Sequence, residues 1–165
     1  MGFTDYLKLG VRIVKPDRDA ISEVASDEGA LKWAVLFVAI GGLADAVREM
    51  LTHGKGYWVF IEDPLSAVIS NFLFIGVFHL VAKQLGGTGG FKGYFCALGI
   101  GSITNWALVL PYVGWPTALW GLPVMVVVTS RVYGLSTGKA IAVFLIPIVI
   151  LLAITLVRMA LGMAA

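Results

Sequence analysis

Four polar side chains interrupt apolar segments of this sequence and could do chemistry there. Asp45 is followed three residues later by Arg48, and Asn71 and Asn105 stand alone in two later apolar runs. An ionisable residue inside a membrane span is costly and often marks an ion or proton path. One hypothesis is therefore a polar pocket, opening outward, that binds a cation or a polar head group.

The alternative hypothesis is a structural cluster that holds helices together. Polar side chains commonly link membrane helices by hydrogen bonds, and Asp45 can pair with Arg48 on one helix face. Arg48 and Glu49 would then extend their charged ends toward the interface. We favour this structural interpretation. A wet Asp45 would support transport, whereas a dry and paired Asp45 would support the structural cluster.

A second candidate group contains His79 and Lys83, which are spaced i, i+4. His79 could accept a proton near neutral pH, but we favour a hydrogen-bonding role at a helix end. His53 is predicted on the opposite side, Cys96 has no partner cysteine, and Ser102 is too far from His79 for a nucleophile–base contact. We therefore predict no catalytic set, no metal site and no cofactor.

Glycines follow this histidine in the stretch HLVAKQLGGTGGFK, residues 79–92. A phosphate-binding loop needs a strand before it and a fixed glycine spacing. Here an apolar helix precedes the glycines, and the spacing fits neither the dinucleotide fingerprint nor the P-loop. The same test rejects residues 134–140, GLSTGKA. We predict tight turns at both places, where glycine supplies backbone freedom.

A stripe of small residues continues from that turn into the next apolar segment. Gly89, Gly93, Ala97 and Gly101 recur every four residues. Small residues at this spacing let another helix approach closely in a membrane. We favour a helix of the same bundle as the neighbour, with a second copy of the chain as the alternative.

Composition identifies the solvent of these segments. The chain has 165 residues, of which 59% are apolar and 13% charged, and its mean hydropathy is +0.91. A soluble domain carries about twice that charged fraction. The formal charge of +2 includes no basic patch, so we expect a lipid bilayer and no nucleic acid as partner. The first fifteen residues lack the apolar core of a cleaved signal peptide.

The apolar runs predict an all-α, integral membrane bundle of five transmembrane helices. A span needs about 20 apolar residues, and five segments qualify: Leu31 to Leu51, Pro64 to Leu85, Phe91 to Leu110, Pro116 to Tyr133, and Ser136 to Leu161. Pro64 and Pro116 are predicted in first turns, where a helix tolerates proline. Pro123 and Pro147 lie inside their spans, where they should kink the helices.

Lys and Arg predict the orientation, because cytoplasmic loops are enriched in them. With the N-terminus inside, nine basic residues lie on the inner side: Lys8, Arg12, Lys15, Arg18, Lys32, Lys83, Lys92, Arg131 and Lys139. Three lie on the outer side: Arg48, Lys55 and Arg158. The predicted outer aromatic residues are Tyr57, Trp58, Trp106, Tyr112, Trp115 and Trp120. We predict a multi-pass cell-membrane protein with a cytoplasmic N-terminus and an external C-terminus.

Residues 1–29 are predicted to be a cytoplasmic amphipathic segment, and residues 30–165 the transmembrane domain. Phe3, Leu7, Val11 and Val14 repeat at helical spacing beside basic residues, which indicates a short interfacial helix. Pro16 should end it. A second short helix is predicted around Ile21, Val24 and Ala25.

Several motifs, taken in order, resemble the Yip domain family. They are VKPDRDAISEVA before the first span, HLVAKQLGGTGGFKGYFCALG in the first inner loop and third span, and LSTGKAIAVFLIPIVILL in the fifth. The resemblance covers roughly residues 12 to 157. It implies five helices, a cytoplasmic N-terminus and non-enzymatic roles in vesicle trafficking and membrane organisation. Eukaryotic members interact with Ypt/Rab GTPases.

The chain departs from that pattern in two ways. Its segment before the first span is short and has no Asp-Leu-Tyr-Gly-Pro-type signature. It also has Ile103-Thr-Asn105 where the third span of the family often carries a proline. The short form resembles prokaryotic members. The expectation of GTPase recruitment is therefore weaker for this chain, and the family offers no catalytic residue to carry over.

Three functional hypotheses follow from these patterns. The favoured one is a non-catalytic scaffold that binds a cytoplasmic protein through the N-terminal helices and inner loops, using His79, Lys83, Lys92, Arg131 and Lys139. The second is a small ion or polar-solute transporter built on Asp45, Arg48, Asn71 and Asn105, which would need an oligomer because five spans are few. An intramembrane enzyme is the least favoured.

Overall fold

The structure, a computed structural model, describes residues 1–110 and 114–160, except for the side chains at positions 108, 114, 115, 118 and 160. The described part is all-α, with no strand among its residues. It contains seven α-helices and one 3₁₀ segment: α1 (Phe3–Val14), α2 (Arg18–Ser26), α3 (Ala30–His53), α4 (Val59–Gln84), α5 (Phe91–Gly101), the 3₁₀ segment (Ser102–Val109), α6 (Gly114–Tyr133) and α7 (Thr137–Ala160).

Short connections join the longer helices, so that neighbours in sequence run antiparallel. Residues 54–58 connect α3 to α4, and residues 85–90 connect α4 to α5. These two loops mark opposite ends of the bundle, called here the 54–58 end and the 85–90 end. Gly54, with a φ of 64°, terminates α3 in the left-handed conformation that glycine adopts easily.

Three helices are long and apolar enough to cross a membrane: Ala30–His53, Val59–Gln84 and Thr137–Met159. A shorter apolar stretch covers Leu119–Tyr133 in α6. The outward faces of α4 and α7 are exposed and apolar, which is the surface that a bilayer covers. The predicted end of the fifth span, Leu161, lies outside the described residues, as do Tyr112 and the side chain of Trp115.

The start of α4 differs from the prediction. The helix begins at Val59 and not at Pro64, which therefore lies inside it. Trp58 accepts the first backbone bonds of this added turn, from Ile61 and Glu62. The predicted span starts at Pro64 because proline favours the first turn of a helix, and the charged residues before it were predicted to lie outside the span. Glu62 and Asp63 belong to the helix as a result.

The third predicted span is not one continuous α-helix. α5 ends at Gly101, and Ser102–Val109 form a 3₁₀ helix of eight residues, which is long for this conformation. The Ser102 hydroxyl donates a hydrogen bond of 2.6 Å to the Gly99 carbonyl and competes with the α-helical backbone pattern. The tighter helix passes closely beside α3, where an added Cβ on Gly41 would lie 3.3 Å from the Asn105 Cβ.

The two N-terminal helices pack against the bundle. α1 buries Tyr6, Leu9, Gly10 and Ile13, which are not the residues used to predict its apolar face. Asp17 caps α2 by accepting from the backbone amides of Asp19 and Ala20 at 2.9 and 3.2 Å. It also accepts from Arg12 at 2.7 Å, which fixes the corner between the helices.

The position of α1 makes two parts of the prediction incompatible, namely an inner interfacial α1 and the outer interfacial Trp106 and Trp120. The Phe3 and Trp106 rings stack at 6.5 Å, and Trp120 donates to the Val14 carbonyl at 2.9 Å. An inner interfacial α1 and two outer interfacial tryptophans cannot both exist, because the interfaces are about 30 Å apart. Close packing holds α1 in this position, since an added Cβ on Gly10 would lie 2.8 Å from the Ile100 oxygen.

Candidate functional site: a polar cavity and a charged groove

A polar cavity of about 190 Å³ lies between α3, α4 and the 3₁₀ segment. It brings together three of the residues singled out from the sequence, Asp45, Asn71 and Asn105. Arg48, the fourth, is not part of its wall. The complete lining is Val38, Gly41, Gly42, Asp45, Asp63, Ser66, Ala67, Ser70, Asn71 and Asn105.

Helical spacing explains why these residues share one cavity. On α4, the residues at 63, 66, 67, 70 and 71 follow the i, i+3, i+4, i+7, i+8 pattern of a single helix face. On α3, those at 38, 41, 42 and 45 do the same. The two faces meet at Gly42, where an added Cβ would lie 2.6 Å from the Pro64 Cα. Glycine therefore sets the close approach of α3 and α4 beside the cavity.

Asp45 is both paired and open to the cavity. Arg48 donates to its Oδ1 from Nε at 2.9 Å, in the arrangement that their i, i+3 spacing predicts. The Asp45 side chain nevertheless remains 38% exposed. Arg48 also forms an ion pair with Glu49 at 2.8 Å, and Glu49 forms an ion pair with Lys55 at 3.0 Å. These contacts form one chain of alternating charges toward the 54–58 end, so Asp45 is paired and is only partly covered by the protein.

Asp63 is a cavity residue that was not predicted from the sequence. It is half-buried, and its Oδ2 atom is buried without a hydrogen-bond partner among the described residues. Ser66 and Ser70 were also missed. The polar spacing along α4 was the available signal, but the predicted span began one residue after Asp63.

A second cavity of about 150 Å³ adjoins the first through Asn71 and Asn105, which line both. Its walls come from α1, α4, α5, the 3₁₀ segment and α6, and they include Ile13 and Trp120. Most of the lining is apolar. The two asparagines therefore stand between a polar compartment near the 54–58 end and an apolar compartment closed on one side by α1.

A charged groove of about 490 Å³ lies at the 85–90 end, between α2, α5 and α6. Lys92 and Arg131, two of the predicted inner-face residues, line it. Arg131 donates from Nε to the Ser22 hydroxyl at 2.7 Å and so connects α6 to α2. Asp27 and Glu28 provide acidic groups on the opposite wall. We call this surface the inner groove.

The remaining predicted inner-face residues hold the loops at this end. His79 Nδ1 lies 2.6 Å from the Tyr133 hydroxyl, and Lys139 donates from Nζ to the Leu85 carbonyl at 2.9 Å. Gly86, with a φ of 92°, gives the 85–90 connection the form of a turn. Lys83 is exposed. His79 and Lys139 therefore contact the protein itself and do not line the inner groove.

The stripe of small residues contacts the N-terminal helices of the same chain. An added Cβ on Gly93 would lie 2.6 Å from the Ala25 oxygen in α2, and one on Gly101 would lie 2.9 Å from Ile13 in α1. Gly89 precedes α5 and lies against the Val132 backbone, while Ala97 is buried beside the second cavity. Gly93 and Gly101 of the stripe thus form a seat for α2 and α1.

Among the residues that the structure describes, no group of three or more His, Cys, Asp or Glu side chains could hold a metal ion. Any cation in the polar cavity would therefore be bound by a mixed set of carboxylate, amide and hydroxyl oxygens.

Comparison with known proteins adds one match. The family model of the Yip1 domain covers residues 12–159, from the second half of α1 to the last turn of α7. This match confirms the resemblance inferred from the sequence motifs. A search of curated proteins and a search of solved structures each returned no match.

Proposed function

We propose a function for this chain, which belongs to the Yip1 domain family. It is a membrane protein with apolar helices. Its proposed role is that of a non-enzymatic scaffold that binds a cytoplasmic protein partner in membrane organisation or trafficking. The partner site is the inner groove.

The proposed topology has five spans, with the 85–90 end in the cytoplasm of the cell. The spans are α3, α4, α5 with the 3₁₀ segment, α6 and α7. The excess of Lys and Arg toward the 85–90 end supports this orientation. The orientation does not depend on whether α5 and α6 cross completely, because Lys92 and Arg131 lie at the 85–90 end in either arrangement.

The fixed geometry of the inner groove is the observation that carries the scaffold proposal. α2 is seated on Gly93 and is linked to α6 through Arg131 and Ser22. Within the described residues, Lys92 and Glu28 make no ion pair within 4.0 Å. The groove therefore presents charges of both signs on a preformed surface, which favours specific recognition of a partner surface.

The side chains that could act in catalysis support the non-enzymatic proposal, since they are engaged elsewhere. His79 contacts the Tyr133 hydroxyl, and the Ser102 hydroxyl donates to its own helix. They belong to different elements, and neither has the other as a partner among the described contacts. A nucleophile and its base need direct hydrogen-bond contact.

Site-specific photo-crosslinking in intact membranes tests the scaffold role. A photoreactive amino acid replaces Glu28 in the inner groove or, as the matched control, Glu62 near the 54–58 end; both residues are exposed. We expect a discrete protein adduct at position 28 that is absent at position 62 and reduced several-fold by Arg131→Ala. Equal adducts at both positions, or none at position 28, would exclude the inner groove as the partner site.

A second candidate function is passage of an ion or polar solute, favoured by the cavity that joins Asp45, Asn71 and Asn105. The partial exposure of Asp45 agrees with a wet compartment. Liposomes that contain the purified protein provide the test. Flux that Asp45→Asn abolishes would support transport, and flux no greater than that of empty liposomes would exclude it.

A further inference from the structure

We infer that the polar cavity binds one monovalent cation of the Na⁺ type, with the Asp63 carboxylate as its anionic ligand. This inference shares its cavity with the second candidate function. It concerns binding alone, however, and does not require that the cation pass through the protein.

The first reason is the unsatisfied oxygen of Asp63. Its Oδ2 atom is buried and has no hydrogen-bond partner among residues 1–110 and 114–160. A buried charged group without a partner is strongly disfavoured, and such an atom in a native fold calls for an unseen water or ion. Asp63 lines the adjacent cavity, so a cation there would lie beside this carboxylate and offset its charge.

The second reason is the chemistry of the surrounding wall. Ser66, Ser70, Asn71 and Asn105 supply hydroxyl and amide oxygens beside the two carboxylates. Asn71 donates through Nδ2 to the Ala67 carbonyl at 2.9 Å, which leaves its Oδ1 as an acceptor for the cavity. Oxygen-only ligand sets select hard cations, and this wall contains no thiolate or imidazole.

The third reason is the charge balance, which selects a monovalent ion. Asp45 also lines the cavity, but Arg48 already contacts its carboxylate through two nitrogens, at 2.9 and 2.5 Å. Asp63 makes no ion pair among the described residues and therefore contributes an uncompensated negative charge to the cavity. A divalent ion would leave an excess positive charge in a region of low dielectric, which is unfavourable.

The fourth reason is that the cavity is already formed. The Asp63 carbonyl oxygen lies 2.7 Å from the position that a Gly42 Cβ would occupy, so α3 and α4 touch beside the ligand. Gly41 brings the 3₁₀ segment to a similar contact distance at Asn105. Three elements are therefore fixed around the oxygens, and cation binding requires no large rearrangement.

Thermal unfolding of the purified full-length protein in detergent tests this inference. NaCl is exchanged for choline chloride at constant ionic strength, so that only Na⁺ changes. A ligand that binds the folded state raises the unfolding temperature with its concentration. We expect a saturable rise for the wild type. Asp63→Asn should unfold at a higher temperature without Na⁺, because it removes the unpaired charge, and should not respond to Na⁺.

The adjacent acidic residue provides the matched control. Glu62→Gln removes the same charge one position away, from a side chain that does not line the cavity. It should respond to NaCl as the wild type does. A Na⁺ response that survives in Asp63→Asn, or no response in the wild type, would overturn the inference. Stabilisation by MgCl₂ or CaCl₂ but not by NaCl would overturn the monovalent assignment.

Binding and transport remain distinguishable in this experiment. A saturable Na⁺ response without Na⁺ flux in liposomes supports the binding site and removes the transport candidate. Na⁺ flux in liposomes together with no Na⁺ response of the wild type in thermal unfolding would overturn the inference even though the second candidate function survives.

Discussion

At the scale of single residues, the pair formed by Tyr6 and Asp27 controls how the N-terminal helices are held. The buried Tyr6 hydroxyl donates to the Asp27 carboxylate, and the Gly29 backbone amide donates to the same carboxylate at 2.8 Å. The hydrogen bond from Tyr6 is the main cause that lowers the pKa of Asp27 below 3.8. Burial, aided by the same carboxylate, raises the pKa of Tyr6 to about 12.

These directions predict how stability depends on pH. The contribution of Asp27 is present above pH 3.8 and is lost as the pH falls below that value, because its folded pKa is depressed. The contribution of Tyr6 is present below pH 10.0 and is lost as the pH rises toward about 12, because its folded pKa is raised. The pair therefore stabilises the fold across the whole range between these limits.

Tyr6→Phe should lower the free energy of unfolding by about 1 kcal/mol at pH 7, since it removes one hydrogen bond. The difference from wild type should shrink below pH 3.8, where Asp27 becomes protonated. Chemical denaturation at several pH values measures both effects. The control is Tyr57→Phe, at a tyrosine that is 84% exposed. A loss that is equal for both variants, or independent of pH, would refute the role assigned to the pair.

At the scale of secondary-structure elements, α1 is an internal part of the bundle. Gly10 of this helix contacts Ile100, and the Val14 carbonyl in its last turn accepts a hydrogen bond from Trp120. Ile13 closes one wall of the second cavity. Deleting residues 1–29 would therefore expose the seat formed by Gly93 and Gly101. The loss of partner binding in such a truncated protein would not separate a binding defect from a folding defect, so substitutions in the inner groove give the clearer test.

A disulfide between Ile13→Cys and Gly101→Cys tests the docked position of α1. An added Cβ on Gly101 would lie 3.9 Å from the Ile13 Cβ, which is within the range of natural disulfides. Cys96→Ala removes the native buried thiol. We expect oxidation to join the two peptides, as detected by mass spectrometry after proteolysis.

The control pair is Val11→Cys with Gly101→Cys, because Val11 lies on the exposed face of α1. This pair should not form an intramolecular bridge. If the control pair forms as readily as the test pair, or if the test pair fails to form, α1 is not seated on α5 in the membrane.

Sequence patterns predicted the existence of α1 and α2 better than their orientation. Phe3, Leu7, Val11 and Val14 repeat at helical spacing, but so do the residues that α1 buries. Gly10 carries no apolar side chain, so hydropathy gives no sign that it lies at a contact. The available space on α5 decides which face is buried, and that information comes from residues 90 positions later.

In the candidate sites too, features of a single helix were predictable from the sequence, whereas contacts between elements were not. Asp45 and Arg48 were predictable because both lie on one helix at a fixed spacing. Asn71 and Asn105 were predictable as costly groups in apolar segments, but their meeting in one cavity depends on how three elements pack. Asp63 was missed because its burial depends on Gly42 of another helix.

At the scale of the whole molecule, the number of spans depends on α5, the 3₁₀ segment and α6. α5 has 11 residues and is too short to cross alone, whereas α3, α4 and α7 satisfy length and hydropathy. The last turn of α1 contacts α6 through the hydrogen bond from Trp120, which is 13 residues from the end of α6, to Val14. Two arrangements of α5, the 3₁₀ segment and α6 can be distinguished by experiment. In the first, these elements cross the membrane completely. In the second, they enter the membrane from the cytoplasmic side and return to that side.

Accessibility of Leu110→Cys distinguishes these arrangements, because Leu110 follows the 3₁₀ segment and is exposed. In a Cys96→Ala background, a membrane-impermeant maleimide is added to intact cells. We expect Leu110→Cys to react from outside as Tyr57→Cys does, because five complete spans place both at the external side. Lys83→Cys should react only after the membrane is opened. If Leu110→Cys instead fails to react from outside while Tyr57→Cys reacts, only α3, α4 and α7 cross. The second cavity would then lie nearer the cytoplasm, and α1 could place its basic face in cytoplasmic water.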